Sequence, residues 1–153
     1  MKRYDKLIFV SGSDTSTSPM AEAILQSKYL LEDILVESRG LVVLFPEPVN
    51  PKVEAVLVSN GLTMKEHASE PLEKVDFDER TLVLTMDSSQ KEKILSEYPE
   101  AVNVYTLAGY IKRQEDVSDP CGGDLSEYGK CFEQLKELIT QLVIVLNEEE
   151  LML

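Results

Sequence analysis

Lys6 to Val10 (KLIFV), apolar without a break from Leu7 onward, empties into the small, mostly hydroxylated segment Ser11 to Ser18 (SGSDTSTS), and then into a proline-led stretch, Pro19-MAEAILQSKYLL. A run that is apolar at every position suits a strand covered on both faces, as in the middle of a parallel sheet. Pro19 is favoured at the start of a helix, and Ser18 is available to cap it. A strand that feeds a loop of small residues and then a helix is a common way to hold an oxyanion. Successive backbone N–H groups point inward, and the helix N-terminus adds partial positive charge. Ligands of open parallel sheets also sit beyond the carboxyl ends of the strands. Residues 11–18 are therefore the candidate anion cradle, although a plain connection can have the same pattern.

The rest of the chain continues the alternation. Ile34 to Glu37 reads as a second short strand closed by Arg39-Gly40, and Leu41 to Pro51, with Pro46, Pro48 and Pro51, as a surface loop. Lys52 to Asn60 reads as a helix stopped by Gly61. A helical turn is expected over Glu70 to Val75, a β-branched strand at Thr81 to Thr85, a helix from Asp87 to Tyr98, and a fourth strand at Val102 to Tyr105. Thr106 to Gly123 reads mostly as loop. The last helix, from about Leu125 to Leu146, carries Tyr128, Cys131, Phe132, Leu135, Leu138, Ile139, Leu142, Val143 and Leu146 on one wide apolar face. Strands alternating with helices imply right-handed crossovers and an α/β fold with a parallel sheet. Residues 1–147 are expected to form one domain, and residues 148–153 an acidic tail that frays.

Composition narrows the partners. The 153 residues carry 15 basic and 28 acidic side chains, a formal charge of −13. That field repels nucleic acid and anionic membranes, and neither is expected as a partner. Cys121 and Cys131, the two cysteines, form no Cys-x-x-Cys pair and support neither a disulfide framework nor a zinc site. Cys131 lies on the apolar stripe of the last helix and reads as core. The N-terminal apolar run is too short for a signal peptide, and Leu142 to Leu146 is too short to span a bilayer, so a cytoplasmic location is expected.

Three separated motifs carry a resemblance. Phe9-Val10-Ser11-Gly12-Ser13-Asp14-Thr15-Ser16-Thr17-Ser18-Pro19-Met20-Ala21-Glu22 resembles the signature loop of low-molecular-weight protein tyrosine phosphatases. Leu82-Val83-Leu84-Thr85-Met86-Asp87 resembles a later strand and turn of that family. Asp116-Val117-Ser118-Asp119-Pro120-Cys121-Gly122-Gly123-Asp124-Leu125 resembles its Asp-Pro acid loop. The resemblance covers nearly the whole chain. It implies a three-layer α/β sandwich, a four-stranded parallel sheet flanked by helices, with no metal and no cofactor. It also implies a phosphate site at Gly12, Ser13, Asp14, Thr15, Ser16 and Ser18, a nucleophile position at Ser11, a phosphate-gripping position at Thr17, a general-acid position at Asp119, and a cleft wall at Cys121.

At several of these positions the chain departs from the family. The family's nucleophilic Cys falls on Ser11, its Arg on Thr17, its loop-ordering Asn on Asp14, its second loop Cys on Ser16, and the aromatic residue after Asp-Pro on Cys121. A cysteine at a helix N-terminus beside an Arg ionises well below its free value of about 8.5. A serine hydroxyl stays protonated near neutral pH without an adjacent base. The only histidine, His67, stands in another segment. Replacing a guanidinium fork by the Thr17 hydroxyl costs on the order of 3 kcal/mol of transition-state stabilisation. Asp14 is expected to add an adverse charge at the rim of the anion site. The expectation is a pseudophosphatase whose 11–18 loop binds phosphate, or a phosphorylated or other anionic partner. Two alternatives stand beside it. One is a phosphatase in which Ser11 attacks and Asp119 serves as the acid; the other is an assembly protein with a vestigial cleft. Asp119 also suits a plain Asp-Pro turn, and Cys121 reads as a loop thiol near the cleft.

Overall fold

The structure is a computed structural model that describes residues 3–152. The strands β1 (Lys6–Ser11), β2 (Leu35–Gly40), β3 (Thr81–Thr85) and β4 (Val104–Thr106) form one parallel sheet in the order β2-β1-β3-β4. β1 lies inside the sheet, and Leu7 to Val10 are fully buried because both faces are covered. Strand alternation sends Leu7 and Phe9 to one face and Ile8 and Val10 to the other. On the first face they meet Met20 and Ile24 of α1 (Thr17–Gln26), Val53 and Leu57 of α2 (Pro51–Ser59), Leu107 of α4 (Leu107–Tyr110), and Leu135 and Leu142 of α5 (Leu125–Leu151). On the second they meet Leu72, Phe77 and Ile94, the last from α3 (Ser88–Glu97). The expected three-layer α/β sandwich is the observed architecture.

Several element ends differ from expectation. α1 begins at Thr17, not at Pro19, and Ser18 does not cap it: its hydroxyl donates to Asp14 inside the preceding loop. The first N–H groups of a helix have no intrahelical acceptor, so a helix can start within the hydroxyl-rich segment without losing a bond. α1 stops at Gln26 because Ser27 Oγ and Ser27 N both turn back to Ile24 O, and Tyr29 beyond is 95% exposed, with no core to cover it. β2 takes in Arg39 and Gly40, which pair with Val10 and Ser11. β4 sits at Val104–Thr106, two residues later than read, leaving Val102 exposed. The expected turn at 70–75 is a single 3-10 turn at Lys74–Asp76. The expected loop after Tyr105 contains α4, capped where Thr106 Oγ1 accepts the Gly109 N–H at 2.8 Å.

Residues 148–151 lie within α5, which continues to Leu151. Its last carboxylates find donors at the other end of the chain and in α4, and Glu149 also lies 3.9 Å from Arg3 Nε. Glu149 takes the Tyr110 hydroxyl at 2.7 and 2.9 Å, and Glu150 Oε1 takes the Arg3 N–H at 2.6 Å. Just before them, Asn147 Oδ1 takes the Leu31 N–H at 2.9 Å. Leu153 lies outside the described residues. No helix among the described residues is long and apolar enough to cross a membrane.

Candidate active site

β1 ends at Ser11 and α1 begins at Thr17, so residues 12–16 turn the chain at the carboxyl end of the central strand. The turn is held from outside by its carbonyls. Leu41 N–H donates to Ser11 O at 3.0 Å, Val42 N–H to Gly12 O at 3.0 Å, Asn50 N–H to Thr15 O at 2.9 Å, and Met20 N–H to Ser16 O at 3.2 Å. His67 Nε2 meets Asp14 O at 2.7 Å; a carbonyl only accepts, so Nε2 carries the proton. With the carbonyls drawn outward, the N–H groups of Gly12, Ser13, Thr15, Ser16 and Thr17 meet no protein acceptor among the described residues. That arrangement, at a helix N-terminus, is one that can cradle an oxyanion. Gly40 permits the close approach. A Cβ there would lie 2.6 Å from Val43 Cγ2 and 2.9 Å from the Ser13 carbonyl carbon.

Asp14 is not at the rim, as the sequence suggested; it is fully buried beneath the turn. Its φ of 58° is left-handed, a conformation that Asp and Asn tolerate better than most residues. There its carboxylate faces inward. Oδ1 accepts the Ser18 hydroxyl at 2.8 Å and Oδ2 the Glu70 N–H at 3.1 Å, with His67 Nε2 3.7 Å from Oδ2. Ser11 Oγ, on a residue only 3% exposed, lies 2.7 Å from Ser18 Oγ and accepts the Asp14 N–H at 3.1 Å. Burial pushes the Asp14 carboxyl above its ordinary value, against the opposing pull of Ser38, Ser18, the Glu70 N–H and His67. Glu22 is pushed the same way, also by burial. The buried Ser38 hydroxyl has no partner at hydrogen-bonding distance, yet it lies near enough to both carboxyls to favour their ionised forms.

The cations of this region are committed elsewhere. Arg39 donates to Ser38 O at 2.8 Å and to Glu37 Oε1 at 3.2 Å, and pairs with Asp76 at 3.4 Å and Glu70 at 3.7 Å. Its guanidinium therefore does not stand in for the one missing at Thr17, a residue that is itself buried. Lys52 Nζ donates to Gly123 O at 2.7 Å and lies 5.8 Å from the Tyr128 ring centroid, fastening the Asp-Pro loop to the start of α2. Within that loop Asp119 is exposed, and its Oδ1 accepts the Cys121 N–H at 2.9 Å, a local turn-capping bond. Tyr128 links loop and cradle. Asn50 Nδ2 donates to its hydroxyl at 3.3 Å, and its phenol is raised by burial and then by the nearby Cys121 and Asp119. Cys121 is exposed; Cys131 is buried, and burial pushes its thiol up to about 11.

The structure thus gathers Ser11, Asp14 and Ser18 into one hydrogen-bonded chain, with Ser13 and Thr15 joined beside it at 2.7 Å. It adds residues that the sequence reading passed over. His67 had no local signal, because its contact spans 53 positions. Asn50 was legible as the cap of a helix with Pro at its first position. Tyr128 was read only as core. Val42, Leu44 and Phe45 are 58, 88 and 63% exposed in the segment whose backbone flanks the cradle. An apolar run inside a proline-rich loop was the available sign.

The site thus places a turn of small and hydroxylated residues after a central strand of a parallel α/β sheet, at the start of a helix. The chain belongs to the low molecular weight phosphotyrosine protein phosphatase family, whose model it matches over residues 6–151. It is 33% identical to the low molecular weight protein-tyrosine-phosphatase PtpB of Staphylococcus haemolyticus over 90% of this chain and 96% of that one. It superposes on the YwlE arginine phosphatase of Geobacillus stearothermophilus with a TM-score of 0.89 and 32% identity, covering 95% of each chain. It also resembles a cysteine-to-serine mutant of YwlE arginine phosphatase whose active-site serine is phosphorylated (TM-score 0.83, 32% identity, 92% of this chain and 95% of that one).

Proposed function

We propose that this protein binds the phosphoryl group of a phosphorylated protein partner, or free phosphate, in the 11–18 cradle, without the multiple turnover of its enzymatic relatives, and that it does so in the cytoplasm. One observation carries the reading. The cradle backbone keeps its inward N–H groups, while Ser11 and Thr17 occupy the positions where the family has a thiol and a guanidinium. Backbone donors suffice to hold an oxyanion. Turnover needs a nucleophile that ionises and a fork that takes up charge as phosphorus is transferred.

Calorimetric titration with phosphate and with phosphotyrosine tests the binding, and turnover of p-nitrophenyl phosphate tests the chemistry. Binding at millimolar ligand is expected, with sustained turnover only after the paired change Ser11→Cys and Thr17→Arg. No heat at millimolar ligand, or brisk turnover by the unaltered chain, would overturn the reading. A second reading, in which Ser11 attacks and Asp119 protonates the leaving group, draws support from the phosphorylated serine in the YwlE mutant. That reading expects native turnover that Ser11→Ala abolishes.

A further inference from the structure

Ser18 has one proton, and it is spent on Asp14 Oδ1. At the 2.7 Å contact between the two hydroxyls, Ser11 must therefore be the donor. Ser11 Oγ in turn accepts the Asp14 N–H, which fixes its remaining geometry. The chain of bonds runs one way: Ser11 to Ser18 to a buried carboxylate. An amide at position 14 would run it backwards. Its Nδ2 would donate to Ser18, its Oδ1 would accept the Glu70 N–H, and Ser18 would then donate to position 11. A thiolate is served by a donor, whereas a hydroxyl that must lose its proton is served by an acceptor. Ser11 and Asp14 are therefore matched, where the family motif pairs Cys with Asn.

We propose that Asp14 is the terminal proton acceptor of this site, drawing the Ser11 proton through Ser18 as Ser11 Oγ attacks an aryl phosphate, so that the chain accepts one phosphoryl group and keeps it as phosphoserine. The inference rests on the binding reading above and deepens it. As the Ser11 Oγ–P bond forms, the P–O bond to the aryl group breaks and its electron pair leaves with the phenolate. The Ser11 proton passes to Ser18 Oγ, and the Ser18 proton passes to Asp14 Oδ1, leaving that carboxyl neutral. Burial, which raises the proton affinity of Asp14, favours this direction. The groups facing Asp14 are His67 from the 64–68 segment, Glu22 from α1, Ser38 and Arg39 from β2, and the Glu70 N–H. With no guanidinium at position 17, hydrolysis of the phosphoserine is unassisted, and the modified chain accumulates.

The experiment incubates the full chain with p-nitrophenyl phosphate and follows nitrophenolate release, intact mass and the modified peptide. One equivalent of nitrophenolate is expected, with a mass gain of one phosphoryl group mapped to Ser11, and nothing from Ser11→Ala. Asp14→Asn and Ser18→Ala are each expected to slow labelling about a hundredfold, the scale of a lost general base, with unchanged circular dichroism. The native labelling rate should climb with pH as the Asp14 carboxyl ionises, and that climb should vanish in Asp14→Asn, which a purely structural role would not produce. Equal labelling by Asp14→Asn and the native chain, or no labelling of the native chain, would refute the relay. Phosphate titration of the native chain separates the two ideas. Binding without labelling refutes only the relay, and neither binding nor labelling refutes both. Release beyond one equivalent that still depends on Asp14 refutes the single-acceptor outcome and the absence of turnover together.

Discussion

Thr17 and Asp14 mark the site's two main electrostatic departures from its family, and each has a measurable consequence. Thr17 leaves the cradle with backbone dipoles and hydroxyls but no forked cation. Thr17→Arg alone should tighten phosphate binding by about tenfold to a hundredfold in calorimetric titration, the range expected for one or two charge-assisted hydrogen bonds. Asp14 has the opposite sign. Because burial raises its carboxyl, the folded chain holds that proton more tightly than the unfolded chain does. The stability this group supplies is fully present below its unfolded value of about 3.9 and is lost as pH rises through the raised folded value. Asp14→Asn should therefore raise the thermal midpoint in neutral and mildly alkaline buffer, with an advantage that shrinks as the buffer is acidified. The loss at Thr17 was legible from the motif, but the burial of Asp14 was not. An aspartate in a loop reads as exposed, and only the left-handed turn at φ 58° carries it under the backbone.

At the scale of elements, the cradle depends on what β2 presents to it. Gly40 pairs with Ser11 and stands against Ser13 and Val43. Gly40→Ala should force the strands or the turn apart, lowering stability by about 1–3 kcal/mol in denaturant titration and weakening phosphate binding in step. The strands that built the core were readable because their middle residues form unbroken apolar runs: Leu7 to Val10 of β1 fill both faces of the sheet, and β3 matches the expected Thr81–Thr85. The stripe on the last helix was readable because its periodicity persists over many turns. The ends of α3 and the start of α5 fell where they were read, but the start of α1 was not legible, since Ser16, Thr17 and Ser18 are interchangeable as caps on paper, and the choice is made by Asp14 and by the anchored carbonyls. α4 was missed because its four residues are too few to show a period.

Across the whole molecule, the two ends of β1 do different work. Its carboxyl end opens into the cradle, and its amino end sits where the last turns of α5 meet Arg3 and Tyr110. Deleting residues 148–153 should cost about 1–2 kcal/mol of unfolding free energy, the scale of one or two hydrogen bonds, while phosphate affinity stays at its native level. The charge of −13 is spread over a molecule whose proposed ligand is also anionic. The encounter with a phosphorylated partner should accordingly be faster in moderate salt, as the self-field is screened over a Debye length of about 8–10 Å. The terminal contacts of α5 have a wider effect. Because Asn147, Glu149 and Glu150 fasten Leu31, Tyr110 and Arg3 in turn, segments far apart along the chain are latched by a single helical end. Amide exchange at those latches should report a base that opens and recloses as one cooperative unit, while the opposite pole of the molecule stays assembled.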